Sequence, residues 1–249
     1  MPNAISFDHT ANLRLAYKEI ILAIIDENGY RDICDLGGGA NPLLSIDDVV
    51  SRDLNYSVMD ISQSELLKAP EFVNKIPIDL SSKSGLGSYE CDLCFSNQLM
   101  EHVFDVESFH NNVFSMLRPN GRALHLFPTL YAPPFVMNYI LPSAVTETIV
   151  RFLQNGIRDV DGHEGKFPAY YKWCRGPSRK QVMRYREIGF EVVSYTGLFG
   201  HEGYYERIPF LKALHLKIVK YLVNAKLTWL TSFAYLELLK RAEKVDDKV

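Results

Sequence analysis

The sequence predicts an α/β fold on a mostly parallel sheet, with an irregular insertion over its second half. Three observations carry this. Short apolar runs alternate with amphipathic stretches through the first 130 of 249 residues, the rhythm of right-handed strand–helix–strand crossovers. Three successive apolar runs each end in an aspartate, Asp35, Asp60 and Asp79. After Thr129 the alternation stops and a segment rich in proline, aromatic and basic residues follows.

The elements follow in order. "ANLRLAYKEIILAIIDENGY" places Leu13, Tyr17, Ile20, Ile21, Ala23 and Ile24 at helical spacing. Thr10 or Asn12 is positioned to cap this helix and Asn28-Gly29 to end it. "RDICDL" is a short buried strand, "SIDDVVSRDL" a short helix, "YSVMDIS" a second strand and "SELLKAPEFV" a brief helix. "KIPIDL" and "CDLCFSNQ" are the third and fourth strands. "VESFHNNVFSMLRP" is a helix with Val106, Phe109, Val113 and Leu117 on one face, stopped by Pro119-Asn120-Gly121. "RALHLFPT" is the fifth strand.

Residues 10–130 thus form a core. Residues 131–208 form a cap-like insertion of helices and loops, leading through the helix "SRKQVMRYREIGF" into a sixth strand, "EVVSYTGLFG". Residues 209–241 carry the amphipathic stretch "PFLKALHLKIVKYLVNAKLTW" and a last strand, "SFAYLELLKR". All belong to one domain, which the chain's length allows.

No apolar run approaches the ~20 residues of a membrane span. "MPNAISFDHT" lacks the basic flank and apolar core of a secretory signal, so the expected location is the cytoplasm. Four cysteines are too few and too scattered for a disulfide framework. Cys91 and Cys94 form a C-x-x-C, but on a strand residues three apart point to opposite faces, so no metal site is expected there. Residues 1–150 hold nine basic and nineteen acidic residues, and residues 151–249 hold eighteen and eleven. An acidic half suits a cationic ligand, and a basic half suits an anionic substrate or lipid surface.

"ICDLGGGANP" is a strand running into a glycine loop, the setting of a nucleotide site. A dinucleotide loop wants G-x-G-x-x-G, and here Pro42 stands at the third glycine position. Asp35 beside the glycines would repel a pyrophosphate and attract an ammonium or sulfonium group. A Walker lysine is absent. Asp60 is placed to accept hydrogen bonds from a ribose diol, and Asp79 from an adenine amino group. A carboxylate just after a strand is by itself often only a helix cap, so it is the order and spacing that speak.

On "DLGGGANP", "VMDIS", "PIDLS", "FSNQLMEHVFD" and "LRPNGRALHLFPT", residues 30–130 resemble the class I S-adenosylmethionine-dependent methyltransferases. The resemblance implies a Rossmann-like seven-stranded sheet, mostly parallel, with an antiparallel last strand. It implies S-adenosyl-L-methionine as cofactor. Asp35, Gly37, Gly38 and Gly39 are then expected around its methionine part, Asp60 at the ribose and Asp79 at the adenine, with Ile61 and Leu80 also among the cofactor-binding residues. Asn97 falls in the loop after the fourth strand. Asn41 departs from the pattern, since many members carry a glycine there.

Methyl transfer from a sulfonium requires alignment above all. A hydroxyl acceptor gains from a general base, worth on the order of 100-fold or more. The candidates are His102 in "NQLMEHV", His163 in "DVDGHEGKFP" and His201 in "LFGHEGYYERIP". His125, inside a strand, reads as a core residue. A metal held by Glu101 and His102 would need a further ligand from His163 or His201, and none is expected. Lys166, Lys172, Arg175, Arg179, Lys180, Arg184 and Arg186, interleaved with Tyr170, Tyr171 and Trp173, suit a phosphorylated or nucleotide-linked small molecule. RNA is the alternative, disfavoured by the acidic first half. The lysine-bearing stretch from Pro209 would lie on a membrane, dimerise or cover the sheet, and its length favours the last.

The expected function is methylation of a small polar acceptor by a monomer or homodimer, as O-methylation of a sugar or phosphorylated metabolite in polysaccharide or secondary-metabolite synthesis. A membrane-docked lipid or quinone methyltransferase, an RNA ribose methyltransferase and a non-catalytic cofactor-binding protein are the alternatives.

Overall fold

The computed structural model describes residues 4–83, 87–130, 168–201 and 208–242. Its strands are β1 (Ile5–His9), β2 (Asp32–Leu36), β3 (Asn55–Asp60), β4 (Asn74–Pro77), β5 (Cys91–Asn97), β6 (Leu117–Pro128), β7 (Glu191–Phe199) and β8 (Phe233–Leu239). Its α-helices are α1 (Thr10–Asn28), α2 (Ile46–Ser51), α3 (Gln63–Lys68), α4 (Val106–Met116), α5 (Arg179–Ile188) and α6 (Pro209–Ala225). The strands form one sheet in the order β1-β7-β8-β6-β5-β2-β3-β4. Only β8 runs antiparallel, between β6 and β7.

The sheet has eight strands where seven were expected. The extra one, β1, pairs in parallel with β7 at the edge. Its ties are long-range: the Ser6 hydroxyl meets that of Thr196 at 2.7 Å, and Phe7 stacks on Phe199. A five-residue strand whose partner lies some 190 residues away leaves no local periodicity to read.

Local chemistry sets most boundaries. α1 is capped one residue earlier than expected: the His9 Nδ1 accepts from the Ala11 amide at 3.1 Å. It ends at Gly29, whose φ of 66° is the left-handed conformation that glycine adopts without a Cβ penalty. α2 begins in a capping box, Ser45 and Asp48 satisfying each other's backbone amides. α4 stops at Met116 rather than running to Pro119. Leu117 already pairs with Cys91, and the Asn120 amide donates to the Lys240 carbonyl at 2.7 Å.

The core lies on both faces of the sheet, with Ile21, Leu36, Phe95, Phe109, Phe127 and Leu236 sealed from solvent. Each such side chain contributes about 1.5–3 kcal/mol on burial. The Tyr17 hydroxyl donates to the Ser96 and Leu124 carbonyls at 2.9 and 3.0 Å, pinning α1 across β5 and β6. All four cysteines are buried and free. The opposite-face expectation for Cys91 and Cys94 does not hold. A bulge interrupts the strand between Cys91 and Leu93, and the Cys91 thiol lies near those of Cys34 and Cys94.

Candidate functional site

The chain runs outward from β2 to β3 and β4, then returns to build β5 and β6 on the other side of β2. The point where the order reverses, between β2 and β5, opens a crevice at the carboxyl ends of the strands, where open α/β sheets hold ligands. Along this edge stand Asp79 beyond β4, Asp60 at the end of β3, Asp35 and the glycines at β2, and Asn97 at the end of β5.

The loop after β2 is held tightly. Gly37 has φ of 73° and donates its amide to the Met59 carbonyl at 2.7 Å. A Cβ on Gly37 would come within 2.6 Å of the Leu99 side chain, and one on Gly38 within 2.8 Å of the Asp35 carboxyl carbon. A Cβ on Gly39, where φ is 47°, would sit 3.3 Å from Asp60 Oδ2. At Gly38 a side chain would displace the Asp35 carboxyl, and at Gly37 and Gly39 the positive φ strains any residue but glycine.

Asp35 is buried. Its Oδ2 accepts from the Leu43 amide at 2.9 Å and from the Tyr56 hydroxyl at 2.7 Å. Burial lifts its pKa to about 6; the two hydrogen bonds pull it down and Asp60 pushes it further up. Asp35 therefore also shapes the loop, by tying β2 to Leu43. Asp60 accepts from the Ser62 amide at 2.8 Å and from the amides of Gly39 and Ile61. Its pKa too is raised, by burial first and then by repulsion from Glu65, which Lys68 partners at 2.7 Å. Three carboxylates thus crowd one glycine loop, a potential suited to a cation.

Ile61 is two-thirds exposed and Leu80 is buried, on the β3 and β4 side of the crevice. Asp79 stands two residues past β4 rather than ending it. It is exposed, and its Oδ1 accepts from the Ser81 amide at 2.8 Å in an Asx turn. Asn97 is exposed, and Gln98 follows with φ of 57°.

After β5 a single 3-10 turn, Met100–His102, carries Glu101 and His102. The His102 Nδ1–H donates to the Pro168 carbonyl at 2.9 Å. That bond fixes the neutral tautomer with its lone pair on Nε2. Nε2 lies 3.8 Å from Glu101 Oε1. The Glu101 carbonyl accepts from the Tyr170 and Tyr171 amides. Its carboxyl is buried, Oε2 lacks a hydrogen-bond partner among the described residues, and burial raises its pKa to about 8. Nothing local marked Glu101 as a buried acid, because the cover comes from residues 168–174.

His201 follows β7 on the same sheet edge. Three strand spacings separate β7 from β5, roughly 14 Å. Its Nδ1 meets the Ser232 hydroxyl at 2.9 Å, and its amide donates to His215 Nε2 at 3.0 Å, tying α6 to the sheet. Burial and His215 lower its pKa to about 3. His163 and Lys166 lie outside the described residues, as does the rest of the insertion from 131 to 167. Among the described residues no third metal-ligand side chain joins Glu101 and His102.

The basic-aromatic segment divides. The Arg175 guanidinium donates to the Tyr171 and Cys174 carbonyls, and Arg184 donates to Gln181 while lying over Trp173. Trp173 stacks on His110, which packs against His125 and Tyr185 under the sheet. His125 is thus a core residue, its Nδ1 on the Ser96 hydroxyl and its pKa lowered by burial to about 3. Arg179, Lys180 and Arg186 remain exposed on α5. Lys172 sits 3.7 Å over the Phe104 ring. Phe104, Asp105, Val106, Glu107, Lys172 and Trp173 line an open cleft of about 290 Å³.

Strand order, the antiparallel β8 and the crevice between β2 and β5 define the fold of the class I S-adenosylmethionine-dependent methyltransferases. Solved structures with that fold match the chain. Phosphoethanolamine N-methyltransferase 2 of Haemonchus contortus, solved with S-adenosyl-L-methionine, matches with a TM-score of 0.53 and 14% identity over 90% of this chain. This chain spans about half of it, 53%. An S-adenosylmethionine-dependent methyltransferase from Clostridium acetobutylicum ATCC 824 matches with a TM-score of 0.51 and 12% identity, covering 90% of this chain and 91% of that one. Geranyl diphosphate C-methyltransferase from Streptomyces coelicolor A3(2) matches with a TM-score of 0.51 and 13% identity, covering 92% and 80%. No protein-family model and no curated protein matches the chain.

Proposed function

We propose that the protein is an S-adenosylmethionine-dependent methyltransferase acting on a hydroxyl of a small polar acceptor, a sugar or a phosphorylated or nucleotide-linked metabolite of glycan or secondary-metabolite synthesis. The observation that carries the cofactor is the crowding of Asp35, Asp60 and Glu65 around the glycine loop. Burial and mutual repulsion raise the first two carboxylates. A cationic nucleoside relieves that repulsion, whereas a pyrophosphate adds to it. Two of the matched structures were solved with S-adenosyl-L-methionine or S-adenosyl-L-homocysteine bound, in agreement with this reading.

In this reading Gly37, Gly38 and Gly39 admit the ligand against bare backbone, and Asp60 accepts from the ribose hydroxyls. Ile61 and Leu80 flank the adenine, and Asp79 takes its amino group. When bound, the cofactor supplies an electrophilic methyl. Asn97 borders the transfer site beyond β5. His102, with Nε2 as acceptor, takes the proton of the acceptor hydroxyl. The exposed cations Arg179 and Lys180, at the N-terminal end of α5, favour an anionic acceptor.

Incubation of the protein with methyl-labelled cofactor and fractionated cell metabolites, followed by mass spectrometry, tests this. The expected result is label on a hydroxylated, anionic small molecule. Cofactor binding without label in any metabolite would instead make the protein a cofactor-binding module.

A further inference from the structure

We propose that α6 docks the protein on an anionic lipid bilayer. Only one residue of this 17-residue helix is buried, Val219. Phe210, Leu211, Leu214, Ile218 and Tyr221 all face solvent, at 37% to 77% exposure. At 100° per residue these five fall within an arc of about 100°, so they form a continuous apolar stripe. Trp229, just beyond the helix, is 60% exposed. Exposed large apolar side chains scattered singly are ordinary, but a helical stripe of five is not.

The charge beside the stripe selects the occupant. Lys217 is exposed at the edge of the stripe, about 20° from it, and Lys220 is exposed roughly a further 60° round the helix. Residues 208–236 contain four lysines and no acid. A helix with an apolar face, flanking lysines and a nearby tryptophan fits the interfacial region of a bilayer bearing negative headgroups. Lysine stems extend to the headgroups while the stripe enters the acyl boundary. A second copy of the chain is a poorer partner, because a two-fold pairing of this face would set lysines against lysines. The inner side of α6 holds it to the body of the protein: His215 packs on His201 with ring centroids 4.2 Å apart. No helix of the described residues is long and apolar enough to cross a membrane, so the attachment is to a surface. This inference does not depend on methyl transfer.

The test is sedimentation of the full chain with vesicles of phosphatidylcholine alone and with about 30 mol% phosphatidylglycerol, at about 0.1 and 0.5 M salt. Pelleting with the anionic vesicles only, weakened by salt and accompanied by a blue shift of tryptophan emission, is the expected result. K217Q/K220Q should lower partitioning about 30-fold, since each lysine near an anionic surface contributes roughly fivefold. K217R/K220R should retain it, and L214Q/I218Q should lose it with an unchanged far-ultraviolet spectrum. Wild-type protein that does not pelet with anionic vesicles overturns the proposal. So does a concentration-dependent dimer abolished by L214Q/I218Q, which would assign the stripe to a second copy. Protection of α6 from hydrogen exchange that is lost on deleting residues 131–167 would assign it to the chain's own insertion, and also overturns it.

Discussion

Asp60→Ala lowers the affinity for S-adenosyl-L-methionine by at least about 100-fold in a calorimetric titration. A hydrogen bond to a charged acceptor contributes about 1.5–3 kcal/mol, and a ribose diol offers two of them to one carboxylate. Losing both corresponds to roughly 100- to 10,000-fold in dissociation constant. The substitution also takes an acceptor from the amides of Gly39, Ile61 and Ser62, so the loop loses its anchor along with the ligand. Asp60→Asn keeps one acceptor oxygen and should fall between the two. Removing the charge also relieves Asp35, whose raised pKa owes part of its shift to Asp60. An affinity unchanged in Asp60→Ala removes the ribose from this carboxylate.

Glu101→Gln gains stability relative to the wild type as pH rises from 6 to 8. Burial holds the Glu101 pKa at about 8, against 4.5 for an ordinary glutamate. Between those values the folded chain keeps a proton that the unfolded chain releases. Folding is therefore favoured at the acid end of the window and loses free energy as pH rises through it, by about 1.4 kcal/mol per unit for one full proton. Asp35 acts in the same direction, but only from about 3.8 to 6. From pH 6 to 8 His125 and His201, lowered by burial to about 3, act the other way, because the unfolded chain sheds their protons near 6.5 and stability rises with pH. The difference between wild type and Glu101→Gln isolates Glu101. Urea denaturation at pH 6, 7 and 8 should show Glu101→Gln gaining on the wild type as pH rises, by about 1.4 kcal/mol per unit below pH 8. Equal slopes in the two proteins would mean that the carboxyl is ionised and solvated in the fold.

What could be read from the sequence was what neighbours in the chain determine. The glycine loop and the aspartates near the ends of β2, β3 and β4 rest on spacing within a few dozen residues, and the antiparallel last strand follows from the family resemblance they carry. β8 does run antiparallel, between β6 and β7. What could not be read depends on distant partners. β1 is a strand because β7 offers an edge. Asp35 gains a second role because Tyr56 reaches it across the ladder. His201, in a glycine-flanked loop, has the local look of a substrate contact, yet Ser232 and His215 hold it. Glu101 becomes a buried acid only when residues 168–174 fold over it. The stripe on α6 has the spacing of any sheet-covering helix, and only its exposure sets it apart.

The central claim is that carboxylates along consecutive strand ends select a cationic adenosine derivative. Separate calorimetric titrations of the wild-type protein with S-adenosyl-L-methionine and with NAD test it most directly. Saturable binding of the sulfonium nucleoside with no heat from the dinucleotide is predicted; saturable binding of NAD with none of S-adenosyl-L-methionine would contradict it.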